Sequence, residues 1–345
     1  MKLTHMLVET GISERRAVVF ADDRPVALFH DSPLIDRGPR LGTRHSGVLQ
    51  SLAPDLGGGF CVGPAGTDVF VRLPKRSILA RGAHVSFEIV AEAHANKTAR
   101  ARLIDEIGEG SSDALEAWIG AQGPEPSLLP ANEKDEFSTI NAAFEAALAT
   151  QIGVPGGGRL TMTRTPALTA IDIDSAGRSG CSAPLNIGAA KESARQLALR
   201  GLGGLAVIDC VAPISKSNGS AIKAAFLETF RAISTRKAAA LAPSPFGLME
   251  ISLAWSETPI DEYLTDGCGS LTPTAQLLDG LRLLEQSVKW RPAAELRLAL
   301  PVTALNIAEQ SPGGRNALAE TYSRALGPRI EFIASLDNRT EVIRQ

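Results

Sequence analysis

The sequence predicts an α+β multidomain chain: an OB-fold β-barrel inserted near the N-terminus, a layered α/β domain in the second half and a small C-terminal α+β domain. Three patterns carry this expectation. Five short apolar-rich runs separated by Gly, Pro and Asp turns fill residues 38–103, strand-like and helix-like periods alternate over 151–260, and an amphipathic helix opens the tail after Thr272. A chain of 345 residues has room for two or three domains with real cores.

Residues 1–37 alternate apolar and polar positions through "AVVFADDRPVALFH", which predicts strands packing on the core with Asp22-Asp23 as a hairpin turn. The five runs of the barrel are "SGVLQSLAP", "GGGFCVG", "TDVFVRLP", "HVSFEIVAEA" and "KTARARLI". Residues 104–150 read as an acidic connector, with helices in "SSDALEAWIGAQ" and "STINAAFEAALATQ" and a proline-containing linker between them. After the turn "PGGGR" a hairpin runs through "LTMTRT" and "ALTAIDID", followed by a helix over about 188–200 that ends at "GLGG". The strand "LAVIDC", a helix over roughly 220–240 with the stripe Ile222, Phe226, Leu227, Phe230 and Ile233, and the strand "GLMEISLAW" complete the alternation. The tail from 261 to 345 adds "TAQLLDGLRLLEQSV", "ELRLALP", a further helix and "RIEFIASL".

No apolar run approaches the ~18 to 20 residues that span a bilayer, and "MKLTHMLVETG" lacks the apolar region of a signal peptide, so a cytoplasmic protein is expected. Cys61, Cys181, Cys210 and Cys268 have no C-x-x-C spacing and read as buried thiols. The net charge of −3 argues against indiscriminate coating of nucleic acid. Charge is nevertheless segregated: residues 159–237 carry eleven basic side chains against five acids, and residues 104–150 carry ten acids against Lys134. Solvated helix faces and a polyanion site both fit that pattern.

The acids of "ALTAIDID" and "LAVIDC" are the chemistry candidates. Positions i and i+2 of a strand share a face, so Asp172 and Asp174 point the same way, and like charges so placed need a counter-ion, a shared proton or water. Asp209 ends the next strand; if the strands are neighbours, ~4.8 Å apart, the three acids converge on one hard cation such as Mg2+. Asp209 could equally pair with an arginine or cap a helix. All five histidines precede residue 95, which removes a Ser-His-Asp or Cys-His triad from this domain. Phe60 and Phe70, one hairpin apart, are either core aromatics or a stacking platform for single-stranded bases, with Arg72, Lys75 and Lys97 near for phosphates.

Taken together, "GGGRLTMTRTPALTAIDIDSA", "SARQLALRGLGGLAVIDCV" and "FGLMEIS" resemble the catalytic core of the ribonuclease E/G family. The resemblance implies a Mg2+-dependent endoribonuclease acting on single-stranded RNA. It implies a DNase-I-like catalytic domain over 151–260 whose metal is held through Asp172 and Asp209, with Asp174 a further oxygen where the family has asparagine. It also implies an RNA-binding OB module of the ribosomal S-one type over 38–103, with Phe60 and Phe70 at the stacking positions and Lys97, Arg178 and Arg236 as further RNA contacts. Lys237 is the nearest match to the family's functional arginine. The 5′-monophosphate sensor is missing, with 104–150 as the remnant of that region, and the zinc link over 261–345 retains Cys268 alone, so any homo-oligomer is expected to form without a zinc bridge. An RNA-binding protein that keeps the scaffold without turnover is the alternative.

Overall fold

The computed structural model of the protein describes residues 2–63, 66–75, 77–95, 97–105, 113–123, 126–177, 182–290 and 293–344. They form two units. Among them, no helix is long and apolar enough to cross a membrane.

The chain starts with β1 (Leu3–Thr10), β2 (Arg15–Ala21) and β3 (Arg24–Asp31). Asp22 and Asp23, at φ 48° and 62°, make the expected turn between β2 and β3, since a two-residue hairpin loop needs left-handed backbone at both positions to match strand twist. The first unit comprises Met1–Val8, Ala17–Phe29 and Arg37–Ile260. Within it, β4 (Arg44–Ala53), β5 (Gly58–Val62), β6 (Asp68–Arg72), β7 (His84–Ala91) and β8 (Ala99–Ile104) close into the expected five-stranded barrel, in the order β4-β5-β6-β8-β7. Alternate residues point inward, so Leu49, Cys61, Val69, Val71, Phe87 and Ile89 fill its core.

Next come α1 (Ala114–Ala121), β9 (Ser127–Pro130) and α2 (Lys134–Leu148). The stretch read as a linker thus holds a strand. Its backbone pairs in parallel with β1, Met6 opposite Leu128, which satisfies edge groups that the side-chain pattern does not advertise. Helix α2 starts with a reciprocal cap between Glu133 and Glu136.

A six-stranded sheet contains β10 (Gln151–Gly153), β11 (Arg159–Arg164), β12 (Thr169–Asp174), β13 (Gly204–Asp209), β14 (Ala238–Ala240) and β15 (Leu248–Leu253), with α3 (Ser182–Leu199) between β12 and β13 and α4 (Lys216–Ile233) after β13. The order is β10-β11-β12-β13-β15-β14. Among the described pairs of this sheet, only β12 with β13 is parallel. Every second strand residue is buried: Ile171, Ile173, Ala206, Ile208, Met249 and Ile251 share one core with Ala194, Leu197, Ile222, Phe226 and Phe230 of the two helices. Helix α4 stops at Ile233, short of the expected 240, because its apolar stripe ends there and Ala238–Ala240 pairs instead with β15.

Helix α3 also buries charge. Arg195 bonds the Glu192 carboxylate and the Pro25 carbonyl, and Arg24 reaches the same carboxylate at 2.7 Å. Burial pushes Glu192 up, but the arginines around it hold its carboxyl below the ordinary value. The polar run "ESARQ" is therefore a buried tie between β3 and α3.

The second unit comprises Glu9–Arg16, His30–Asp36 and Asp261–Gln345. After α5 (Ile260–Leu264), α6 (Pro273–Trp290), β16 (Glu295–Leu300), α7 (Val302–Gln310), α8 (Gly314–Leu326), β17 (Arg329–Ala334) and β18 (Glu341–Arg344) build a three-stranded sheet in the order β17-β16-β18. Leu277, Leu281, Leu284, Leu298, Tyr322 and Phe332 are its core. Beside that core, Arg282 binds Glu14 at 2.5 Å, Arg16 binds Glu9, and Tyr322 donates to Ser13 at 2.7 Å. Burial raises the Glu14 carboxyl, but Arg282, His30 and Arg16 overcome this and bring it down to about 2. Burial pushes Glu285 the other way, up to about 7, against the bond from the Ile12 N–H.

A carboxyl whose folded pKa is raised binds more protons folded than unfolded, so its contribution to stability is complete below pH 4.5 and is lost as pH rises through about 7. Glu285→Gln, which keeps an acceptor without the charge, should flatten that decline in urea unfolding followed across this window, by up to about 3 kcal/mol at ~1.4 kcal/mol per unit. Glu14 has the opposite sign: its contribution is complete above 4.5 and is lost as pH falls toward about 2. An unchanged pH profile in the Gln variant would remove Glu285 as the source of the decline.

Candidate functional site

The parallel pairing of β12 and β13 puts Asp172 directly beside Asp209. Both are exposed, on the sheet face opposite α3 and α4 and at the C-terminal edge of the two strands. Helix α3 is the crossover between these strands, the connection that sets parallel neighbours in register and places ligands beyond strand ends. Neither carboxylate has a hydrogen bond or ion pair among the described residues. The backbone beyond Asp209 is held by Asn186, a buried side chain of α3 that donates to the Val211 carbonyl at 2.8 Å and accepts the Val211 N–H at 2.9 Å. The Cys210 N–H bonds the Gly247 carbonyl at 3.1 Å, and Gly247 has φ 88°. A methyl group there would sit 3.1 Å from the Cys210 carbonyl and 3.8 Å from Asp209 Oδ1, so glycine lets this loop lie against the acid. Burial and the charge of Asp209 push the Cys210 thiol up to about 11, which leaves it a packing group rather than a soft ligand.

Asp174 sits apart from this pair in its chemistry. Its Oδ1 accepts the Ala176 N–H and its Oδ2 binds Arg159 of the neighbouring strand at 2.8 Å, and these two partners hold its carboxyl below the ordinary value. The negative charge of Asp174 is thus neutralised across the hairpin. Among the described residues no three His, Cys, Asp or Glu side chains gather as a metal cluster, and the grouping is a pair of carboxylates with a salt-bridged third beside it.

The structure does not bring Lys237 or Arg236 to this pair. Because α4 ends at Ile233, residues 234–237 run at the other end of the sheet: the Lys237 carbonyl accepts the Ala254 N–H, whereas Asp209 faces Leu248. Six residues of strand, at about 3.3 Å each, separate those positions by roughly 20 Å. Arg236 donates to the carbonyls of Leu202 and Leu197 at 2.8 and 3.0 Å and lies 5.2 Å over the Phe230 ring, so it closes the C-terminal end of α3. Arg178 and Cys181 lie outside the described residues. Cys268 is exposed in a turn closed by Asp266.

On the barrel, Phe60 and Phe70 face each other across β5 and β6 with ring centroids 5.3 Å apart in an edge-on arrangement. They are half-buried and stand on the outer wall, since Cys61, Val69 and Val71 on either side occupy the core. A methyl group on Gly58 would meet the Phe70 ring at 2.5 Å, so that glycine makes room for it. Phe70 neighbours Arg100 of β8, and Arg72 neighbours Arg102, which also binds Glu88 at 2.9 Å. Lys97 is exposed just ahead of β8. Arg100 was legible: the alternation in "KTARARLI" sends both arginines outward when the alanines go in.

The barrel reaches the sheet segment through polar bonds within this unit. Glu92 accepts Arg40 Nε at 2.9 Å and the Thr258 N–H and hydroxyl, and the Glu92 N–H bonds the Ser256 carbonyl at 2.7 Å. His94 stacks on Trp255 with centroids 3.9 Å apart.

The Ribonuclease E/G family profile matches residues 114–254, the stretch that holds both aspartates and the loop against them. In that segment the chain is similar to the ribonuclease E/G family. Ribonuclease E of Nostoc sp. (strain PCC 7120) is 32% identical over 177 residues, covering 47% of this chain and 26% of that protein. Ribonuclease E of Escherichia coli (strain K12) is 32% identical over 176 residues, covering 47% of this chain and 16% of that protein. That of Buchnera aphidicola (strain APS) is 33% identical over 177 residues, covering 47% and 19%. The chain therefore matches about a quarter or less of the length of these ribonuclease E relatives.

The outward placement of the phenylalanine pair has a measurable consequence. Phe87→Ala empties a core position and should cost about 3 to 5 kcal/mol in chemical denaturation, whereas Phe60→Ala and Phe70→Ala should each cost under about half of that. Equal losses at all three positions would return the pair to the core.

Proposed function

We propose that this chain is a Mg2+-dependent endoribonuclease or RNA-processing protein of the ribonuclease E/G type that acts on single-stranded RNA. The observation that carries the reading is the Asp172–Asp209 pair: adjacent, exposed carboxylates without partners among the described residues, inside the segment that matches the family. Two like charges left side by side are a poor arrangement for stability and a good one for a hard cation, which takes one or two carboxylates and fills its other positions with water and phosphate oxygens. The donor set, hard oxygens with no thiol or imidazole, fits Mg2+.

In this reading residues 151–260 are a DNase-I-like catalytic domain, residues 38–103 bind RNA and residues 104–150 stand where the 5′ sensor would be. Asp172 and Asp209 would hold the metal, which would supply Lewis-acid polarisation of the scissile phosphate and activation of a water. Arg159 keeps Asp174 ionised and fixed beside them. Asn186 and Gly247 hold the two backbones that flank Asp209. Phe60 and Phe70 stack bases, and Arg72, Lys97, Arg100 and Arg102 offer charge to phosphates on the same barrel face. RNA binding without turnover is the second reading, favoured by the sequence's departures from the family at the 5′ sensor and the zinc link.

One assay separates them. Purified protein incubated with 5′-labelled unstructured RNA should cut it with Mg2+ and not with EDTA, and Asp172→Asn or Asp209→Asn should lower the rate at least 100-fold, a change of about 3 kcal/mol, with RNA affinity retained. Asp174→Asn leaves the Arg159 charge uncompensated next to the pair, so it should keep cleavage while raising the Mg2+ concentration for half-maximal rate. Parental rates in both Asp172 and Asp209 variants would show that the acids do not carry the reaction, and binding without Mg2+-dependent cleavage in the parent would select the second reading.

Phe60→Ala and Phe70→Ala should each weaken RNA binding about five-fold or more, since stacking one base on an aromatic contributes roughly 1 to 3 kcal/mol. Fluorescence anisotropy with the same RNA measures it, and unchanged affinity in folded variants would discard the stacking role.

A further inference from the structure

The loop ahead of β15 presents an aromatic ring to solvent next to the acid pair. Phe246 is 89% exposed, and its neighbours Leu241 and Leu248 are 60% and 41% exposed. An exposed aromatic ring can serve as a contact group where the backbone beneath it is fixed. Here it is fixed. The Phe246 N–H donates to Ser244 Oγ at 3.3 Å, the Gly247 N–H to the Ser244 carbonyl at 2.9 Å, the Ser244 N–H to the Leu248 carbonyl at 2.9 Å, and the Gly247 carbonyl accepts from Cys210. On its other side the loop packs on the first turn of α4: a methyl group on Gly219 would lie 3.5 Å from Pro243 and 3.9 Å from Ala242.

The position relative to the acids follows from two contacts. Leu248 is the cross-strand neighbour of Asp209. The Cβ position of Gly247 is 3.8 Å from Asp209 Oδ1, and the Phe246 Cα is one trans peptide away, about 3.8 Å from that of Gly247. The ring is thus rooted one residue from the glycine that lies against Asp209, and, 89% exposed, it is not part of the core that α3 and α4 share with the sheet.

We propose that Phe246 is a nucleobase platform: it stacks the base of a nucleotide adjoining the phosphodiester bond that the acid pair cuts. The inference rests on the reading of Asp172 and Asp209 as an RNA-cleavage site and adds a positioning residue to it. A base is the occupant that suits the place, because a strand whose phosphate lies at the carboxylates must put its neighbouring bases within reach of this ring. An aromatic face accepts any of the four bases. Lys216, exposed at the start of α4 in the turn that the loop touches, supplies a cation for the same strand. A pre-ordered ring costs little entropy on binding and orients the bond to be cut. The half-buried pair on the barrel and Phe246 then serve different nucleotides.

The test compares the parent with Phe246→Ala and Phe246→Trp on a 5′-labelled unstructured oligoribonucleotide with Mg2+, and on a series of the same strand carrying one abasic position moved through the sequence. Because the ring is exposed, both variants should melt with the parent. Phe246→Ala should lower kcat/KM at least five-fold on the intact strand, and Phe246→Trp should retain the parental value. The five-fold difference between parent and Phe246→Ala should vanish when the abasic position adjoins the cleaved bond and persist when it lies elsewhere. Equal kcat/KM for parent and Phe246→Ala on the intact strand would overturn the platform while parental cleavage leaves the acid pair in place. A deficit in Phe246→Ala that no abasic position erases would also overturn it. A parent that does not cut RNA with Mg2+ would overturn both.

Discussion

The register of one parallel strand pair governs the whole site. If β12 slid by a single residue against β13, Asp172 would sit beside an apolar position and its isoleucines would turn toward water, because strand side chains alternate with a period of two. The buried residues of both strands prevent that slip. Ile171 and Ile208 are a neighbouring pair in the core, and they fix the pairing of the acids one residue on. The hydrophobic face thus determines the geometry of the charged face, and the repulsion between Asp172 and Asp209 is offset by packing behind them.

Helices α3 and α4 cover one side of the sheet, and the acid pair stands on the other. That division explains why polar residues of α3 are spent inside: Glu192, Arg195 and Gln196 satisfy one another, Arg24 and the backbone of β3. It also explains the placement of Arg236, whose donors close the carbonyl end of α3 at the edge opposite the acids. Two arginines that read in the sequence as contacts for a polyanion are structural. Arg159, bound to Asp174, and the exposed Lys216 do face solvent.

The barrel follows the same inside-outside logic with a different result. Its core closes on Leu49, Val69, Val71, Phe87 and Ile89, which frees the outer wall for Phe60, Phe70 and the arginines of β6 and β8. Glu92 then ties the segment after β7 to residues 256–258, so the barrel and the sheet segment share one hydrogen-bonded junction. In the second unit the opposing behaviour of Glu14 and Glu285 has one cause: the first has guanidinium partners and the second has only neutral donors.

By itself the sequence determined the alternation that makes the barrel, the turn at Asp22-Asp23, the helices on either side of "LAVIDC" and the presence of acids at strand ends. These are local: a period of two or of 3.6, a turn residue, a polar group at the end of an apolar run. Tertiary structure alone decided that Asp172 and Asp209 are neighbours, that Asp174 is neutralised by Arg159, that Lys237 lies about 20 Å away along the sheet, and that residues 127–130 are a strand. Each depends on which strands pair and in what register, and strand order is set by burial summed over segments far apart in the chain. A carboxylate reads the same in sequence whether its partner is a cation, an arginine or another carboxylate. Its meaning comes from the backbone that brings the partner near.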